Sequence, residues 1–509
     1  MYSVITTAMT NGMDALAVRV EADVSDGLPE FSMVGFLASE VREAKERVRT
    51  ALRNSGFGIP AKRITINLTP ADVRKSGNGC DLPVAAALLS AFGYIDAGLL
   101  KRYLIMGEVG LNGCILPVRG VLSASVLAER EHYEGIIVPA ENVKEAGILP
   151  EIKVIPVQNI REFVKLCQNE LPDACFYQGI NDVWHTSYDV DFSDICGQTL
   201  VKRACEIAVS GMHNLLMMCF PGSGKTMVAR RIPTILPDLS RQEKLELSQI
   251  YSLCGLLDET RIIKNERPFR SPHHTVTAQA LTGGGRWPHP GEISLAHHGV
   301  LFMDELPEFK REALEALREP LEEKQIHLSR LGGTVVYPAD FMLVASMNPC
   351  ACGYYPDMNR CNCSPRSIQQ YIGRVSQALL NRIDLCVEAT EIKYQDVRLH
   401  RESESSAQIR ERVERTHEIQ KSRFQKSACR FNSQMTTEEI HRFCCLDRES
   451  QEKMEEKYEE YHLTARTYNK LLRTARTIAD MEQEEQILWR HIEEALLFRS
   501  PDKKYWRRY

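Results

Sequence analysis

Apolar and charged residues alternate from Ala17 to Val24, with Val18, Val20, Ala22 and Val24 on one side and Arg19, Glu21 and Asp23 on the other. A period of two predicts a half-buried strand. Between Ser39 and Asn54 the spacing changes. Val41, Ala44, Val48, Ala51 and Leu52 recur at helical intervals, and Gly56 ends the run. Arg63 to Leu68 predicts another strand. Asp81-Leu82-Pro83 opens a helix that runs through Val84 to Phe92, with proline in its first turn. Strands at Leu104 to Val109, Ile136 to Val138 and Val154 to Val157 surround a helix from Val121 to His132. Residues 1–168 therefore read as one mixed α/β domain.

Residues 169–191 mix Pro, Gly, Asn, Asp and aromatics without periodicity, which marks a linker. Residues 192–390 follow as a second α/β domain and 391–509 as a helical one. The second begins with a helix from Leu200 to Ser210. The apolar run Leu215-Leu216-Met217-Met218 then meets Cys219-Phe220-Pro221-Gly222-Ser223-Gly224-Lys225-Thr226 and a helix-like segment. A strand that stops in a Gly-rich turn and restarts as a helix aims backbone N–H groups and the positive end of the helix at one spot, where phosphates fit. Pro221, Gly222, Ser223 and Gly224 would line that loop, Lys225 would reach the β- and γ-phosphates of ATP, and the Thr226 hydroxyl would ligate Mg²⁺. The usual pattern has glycine where this chain has Cys219, so slightly altered geometry or affinity is expected.

A second apolar strand, Gly299 to Met303, ends in Asp304-Glu305. Asp304 would hold the Mg²⁺ and Glu305 would polarise the attacking water as general base. The plain alternative, a strand with a solvated acidic end, is weakened by Lys225 and Thr226 standing upstream in the right order. A third apolar strand, Phe341 to Ser346, precedes Asn348.

Composition narrows the picture further. Forty-three per cent apolar and 26% charged residues describe an ordinary globular chain, and a net charge of −5 gives no global attraction to nucleic acid. No apolar run approaches the roughly 20 residues that span a bilayer. The N-terminus has no basic segment followed by an apolar one, so a cytoplasmic protein without a membrane partner is expected. Sixteen cysteines, mostly scattered, then read as reduced thiols. One cluster differs: Cys350, Cys352, Cys361 and Cys363 form two Cys-x-Cys pairs with Gly353 and Pro356 between them, a pattern that can wrap four thiolates around one Zn²⁺.

Several segments resemble a known family. Gly27-Leu28-Pro29, Ile64 to Leu68, Pro70-Ala71-Asp72, Asp81-Leu82-Pro83 and Leu116 to Gly120 resemble the Lon-protease-like domain that precedes the ATPase in the YifB/ComM family. Lon-type proteolysis needs a Ser–Lys dyad. Beside the Lon motifs, Gly79 stands at the Ser position and Ala124 at the Lys position, so the likeness implies a non-proteolytic domain. Cys80, next to Asp81 in an apolar context, reads as a packing cysteine.

Pro268 to His274, Gly283-Gly284-Gly285, Pro290 to His297 and Asp304 to Phe309 look like the magnesium-chelatase-like AAA+ proteins of that family. The resemblance implies an AAA+ P-loop core with a C-terminal helical lid. It makes Asn348 the sensor near the γ-phosphate, Arg382 the arginine finger acting on a neighbouring subunit, and Arg466 the second sensor arginine. The bland reading of Arg382 is a surface salt bridge. Ser376-Gln377-Ala378 departs from the expected Ser-Gly-Pro before the finger. The resemblance further implies a homo-hexameric ring and, as in ComM relatives, a DNA helicase that promotes branch migration on single-stranded or branched DNA in recombination or natural transformation. The alternative is a chelatase-like motor that remodels a protein partner without DNA.

Two inserts would reach a pore: His273 to His298, and a hairpin from Gln325 to Tyr337 turning at Gly332-Gly333. Lys324, Arg330 and Arg286 are candidates for phosphate contact, as is the basic, aromatic tail from Lys503 to Tyr509. The histidines at 273, 274, 289, 297 and 298 are irregularly spaced and read as loop packing instead of a ligand set.

Overall fold

The computed structural model describes residues 1–75, 77–173, 176–177, 188–257, 262–285, 288–330, 333–390 and 403–506. Arg286, Gly332, the tail residues Arg507, Arg508 and Tyr509 and most of the 169–191 linker lie outside the described residues. The chain forms two compact units: Met1–Trp184 with Lys244–Lys264 and His327–Tyr337, and His185–Glu243 with Asn265–Ile326 and Pro338–Tyr509.

In the first unit, Tyr2–Asn11, Asp14–Ser25, Arg63–Thr69 and Glu30–Val34 form a four-stranded sheet in that order, antiparallel except for its last pair. Val18, Val20, Ala22 and Val24 are buried, as the alternation predicts. The helix Ser39–Asn54 buries the five apolar residues whose spacing predicted it. The helix Asp81–Ala91 is buried almost all round. Behind it lies a parallel sheet of Tyr103–Ile105, Gly135–Pro139 and Lys153–Val157.

The first strand escaped the sequence reading because half of its buried face is polar: Ser3, Ile5, Thr7 and Met9 all point inward. The Ser3 hydroxyl is satisfied by the Ala87 carbonyl at 2.6 Å, so a buried polar group costs little there. The expected strand Leu104 to Val109 is broken at Gly107, whose N–H donates to Gly79 O and whose carbonyl accepts from Leu82 N. A helix at Ile160–Gln168, capped by the Asn159 side chain, also precedes the linker.

The hairpin forms from Gln325–Arg330 and Gly333–Pro338. Its residues His327–Tyr337 group with the first unit. Gly12, at φ +67° in the turn between the first two strands, sits so close to Val335 that an added Cβ would come within 2.8 Å of Val335 Cγ1. Lys324, at the foot of the hairpin, pairs with Asp340 at 3.3 Å.

The second unit is built on a five-stranded parallel sheet in the order Phe269–Arg270, Val300–Met303, Met342–Met347, Leu215–Met218, Leu385–Glu388. Three of these strands are buried along their whole length and are correspondingly almost uniformly apolar. Helices Ser406–Arg423, Ala465–Met481 and Trp489–Leu497 add the C-terminal helical part of this core. The fold is thus a mixed α/β one, with a first unit of an antiparallel-rich and a parallel sheet and a P-loop core carrying C-terminal helices. Among the described residues, no helix is long and apolar enough to cross a membrane.

Candidate nucleotide site

The parallel register explains why residues distant in sequence meet. Met218 pairs with Met347, and Met303 with Ala345, so three adjacent strands end at one edge. Ligands of open parallel sheets bind beyond the carboxyl ends of the strands. The loop after Leu215–Met218 reaches the helix Lys225–Ile235 through Gly222 and Gly224, both at positive φ, +78° and +79°. That conformation comes at low cost only to glycine.

At this edge Lys225 Nζ donates to Asn348 Oδ1 at 2.9 Å, and Thr226 Oγ1 to Asp304 Oδ2 at 3.0 Å. The other Asp304 oxygen accepts from the Ser346 hydroxyl and, at 3.0 Å, from the Glu305 N–H. Five of the proposed residues therefore converge. The Thr226–Asp304 pair is the donor set expected for a hydrated Mg²⁺ beside phosphates, an alcohol oxygen and a carboxylate oxygen already side by side.

Glu305 adopts a left-handed backbone at φ +55°, which costs a non-glycine residue about 1–2 kcal/mol. Such strain is held where the surrounding structure over-determines it. Two partners were not read from the sequence. Ser346 braces Asp304, and His274 lies 3.8 Å from Glu305 Oε2. Ser346 could have been inferred as the last residue of the third strand, but His274 approaches from a loop that no local pattern aims.

Cys219 is buried among core residues, its thiol meets the Ser223 side chain of the loop, and its N–H donates to Met347 O at 2.9 Å. Burial foremost pushes its thiol up to about 11. Gln198 bridges outward from the loop: its side-chain amide donates to Thr390 O at 2.6 Å and to Ser223 O at 3.4 Å, and its Oε1 accepts from Thr390 N.

The four cysteines after Asn348 do come together. The Cys350, Cys352 and Cys361 sulphurs are 3.3, 3.6 and 3.7 Å apart, and all four lie within 4.8 Å of one another. Sulphurs around a tetrahedral Zn²⁺ at about 2.3 Å stand about 3.8 Å apart, so this cage fits the ion. Four of the histidines form two close ring pairs, His273–His274 and His297–His298, with centroids 4.0 and 3.7 Å apart and planes tilted by 35° and 36°.

Arg382 and Arg466 converge on a second place, the carboxylate of Glu322. In the first unit Cys80 is buried, and burial, followed by Asp81, pushes its thiol up to about 12, the reverse of what a nucleophile needs.

The chain is also similar to known proteins. Residues 191–397 match the family described as magnesium chelatase, subunit ChlI, residues 20–142 the subunit ChlI of Mg-chelatase, and residues 403–499 the C-terminal part of that subunit. The chain is 39% identical to the YifB protein of Salmonella typhimurium over 502 residues, covering 98% of this chain and 97% of that one. It is 38% identical over 510 residues to the competence protein ComM of Haemophilus influenzae, with the same coverage. A Lon protease of Elusimicrobium minutum is 29% identical over 168 residues, 30% of this chain and 19% of the protease.

Proposed function

Because the chain belongs to the magnesium-chelatase-like AAA+ ATPase family of YifB and ComM, we propose that it is a ring-forming motor that hydrolyses ATP to move DNA. The observation that carries the reading is the pairing of Lys225 with Asn348 and of Thr226 with Asp304 at one sheet edge. Lys225 and the loop Pro221 to Gly224 bind the β- and γ-phosphates. Thr226 and Asp304 hold the Mg²⁺ that accompanies ATP, which neutralises phosphate charge when bound. Glu305 accepts the proton of the attacking water, and Asn348 orients that water against the γ-phosphate. Arg382 completes the site of a neighbouring subunit in a homo-hexamer, where its guanidinium stabilises transition-state charge, and Arg466 serves as the second sensor arginine of the lid. Cys350, Cys352, Cys361 and Cys363 hold a structural Zn²⁺. The working division is a non-proteolytic domain at 1–168, a linker at 169–191, an ATPase core at 192–390 and a lid at 391–509.

Single-stranded or branched DNA is the proposed substrate, as in competence or recombination. This part rests on the likeness to ComM and on the basic residues Lys324 and Arg330. ATP hydrolysis measured with and without a four-way junction, together with strand separation, tests it. Stimulation and unwinding are expected. Removing both basic residues should weaken binding and flatten its salt dependence. The second reading, remodelling of a protein partner, draws on exposed apolar side chains in the first unit, Leu28 (88% exposed), Val34 and Phe36. Hydrolysis indifferent to every DNA form would favour it.

A further inference from the structure

Glu322 lies near the end of the short helix Arg318–Glu323, just ahead of the hairpin. Its Oε1 accepts from Arg382 Nη2 at 2.7 Å and from Arg466 Nη2 at 3.1 Å. One carboxylate oxygen thus joins three elements: the helix Arg318–Glu323, the segment after Gln377–Leu380, and the first turn of Ala465–Met481. Arg382 is only 10% exposed, while Glu322 and Arg466 are 47% and 53% exposed. Arg382 is fastened from its other side as well, since its Nη1 donates to Ala378 O at 2.7 Å and its own carbonyl accepts from the Asn214 amide at 2.8 Å.

Two features make this convergence costly without an anion. Two guanidinium groups on one oxygen repel each other. Arg466 also sits in the first turn of a helix, where the dipole disfavours a cation. Glu322 offsets both. Burial pushes its carboxyl upward, but the hydrogen bonds and charges of Arg382 and Arg466 outweigh it and hold the group below its ordinary range, so it is ionised at neutral pH. The two arginines are then a pair with one net positive charge, aimed together instead of splayed.

We propose that Glu322 is a positioning residue for ATP hydrolysis, holding Arg382 and Arg466 as one double-guanidinium clamp for the γ-phosphate of the neighbouring subunit. The proposal rests on the reading of Arg382 as a finger acting in trans. Glu322 acts through the two arginines that it pairs with. Its effect therefore appears in the transition state and not in ground-state binding.

The test replaces Glu322 in the full-length protein. Glu322→Gln keeps the shape and an acceptor oxygen but removes the charge. It is expected to lower kcat by about tenfold while leaving KM for ATP, ADP affinity and ring assembly within about twofold of wild type. Affinity for ADP with aluminium fluoride, which mimics the transferring phosphoryl group, should fall in parallel with kcat. Glu322→Asp, with charge retained on a shorter stem, should recover part of the loss. In an Arg382→Ala, Arg466→Ala background, where turnover is lost and affinity for ADP with aluminium fluoride is the readout, the Gln substitution should cost nothing more. Normal or raised turnover by Glu322→Gln, or an equal further loss in the arginine-free background, would overturn the assignment. The two failures are separable. If Arg382→Ala is inactive while Glu322→Gln is normal, the finger stands and Glu322 falls. If Arg382→Ala turns over normally, the finger reading itself is wrong.

Discussion

Gly353, inside the four-cysteine loop, packs directly on Pro221 of the phosphate-binding loop: a Cβ built on Gly353 would lie 2.5 Å from Pro221 Cγ. The glycine is also at φ +86°, so both its backbone and its lack of a side chain are used. A rigid proline ring cannot yield as a flexible side chain would, and the same virtual Cβ stands 3.8 Å from the Asn348 side chain. The cysteine cage and the nucleotide site thus share a wall.

Gly353→Ala should therefore push the cage and the phosphate loop apart. We expect ATP affinity to drop by about tenfold, a cost near 1.4 kcal/mol, and the melting temperature to fall by only a few degrees, since the change is local. Fluorescent-nucleotide titration measures the first and calorimetry the second. Unaltered affinity would show that the wall is compliant.

Glu305→Gln keeps the shape of the side chain but removes the base. ATP should bind and remain unhydrolysed, with kcat down by at least about a hundredfold, whereas Lys225→Ala should lose binding as well. Single-turnover hydrolysis beside nucleotide retention separates the two variants. Normal turnover by Glu305→Gln would move the base elsewhere, with His274, 3.8 Å away, the first residue to examine.

Arg382 completing another subunit's site predicts complementation. Arg382→Ala and Lys225→Ala proteins, each inactive alone, should regain part of their activity when mixed, because some interfaces then pair an intact loop with an intact finger. Hydrolysis followed against mixing ratio checks it. Strictly additive, inactive mixtures would place the arginine's action within its own chain.

Metal analysis of protein purified without added metal should give close to one zinc per chain. Chelation should lower ATPase activity more than nucleotide binding, since the cage packs against Pro221 but supplies no phosphate ligand. Cys361→Ser should release the metal and reproduce the effect. Far less than one zinc per chain, with Cys361→Ser fully active, would reduce the cluster to a set of free thiols.

Much of this molecule is written in short stretches of chain. The period of two in Ala17 to Val24 and the helical spacing in Ser39 to Asn54 correspond to a buried strand face and a buried helix face, because local periodicity and burial on one side are the same fact. The phosphate-binding loop, the acidic strand end and the Cys-x-Cys pairs were also legible, since each needs specific residue types at fixed short spacing. Tertiary structure decided what depends on strand order and packing. The polar-faced strand Tyr2–Asn11 has no hydrophobic period to betray it. Ser346 reaches Asp304 only because their strands are parallel neighbours. His274 meets Glu305, Gly353 meets Pro221, and Glu322 gathers Arg382 and Arg466 across 60 and 144 positions of chain respectively. No local pattern carries such contacts, because their energy comes from burial and charge neutralisation between elements that the sequence keeps far apart.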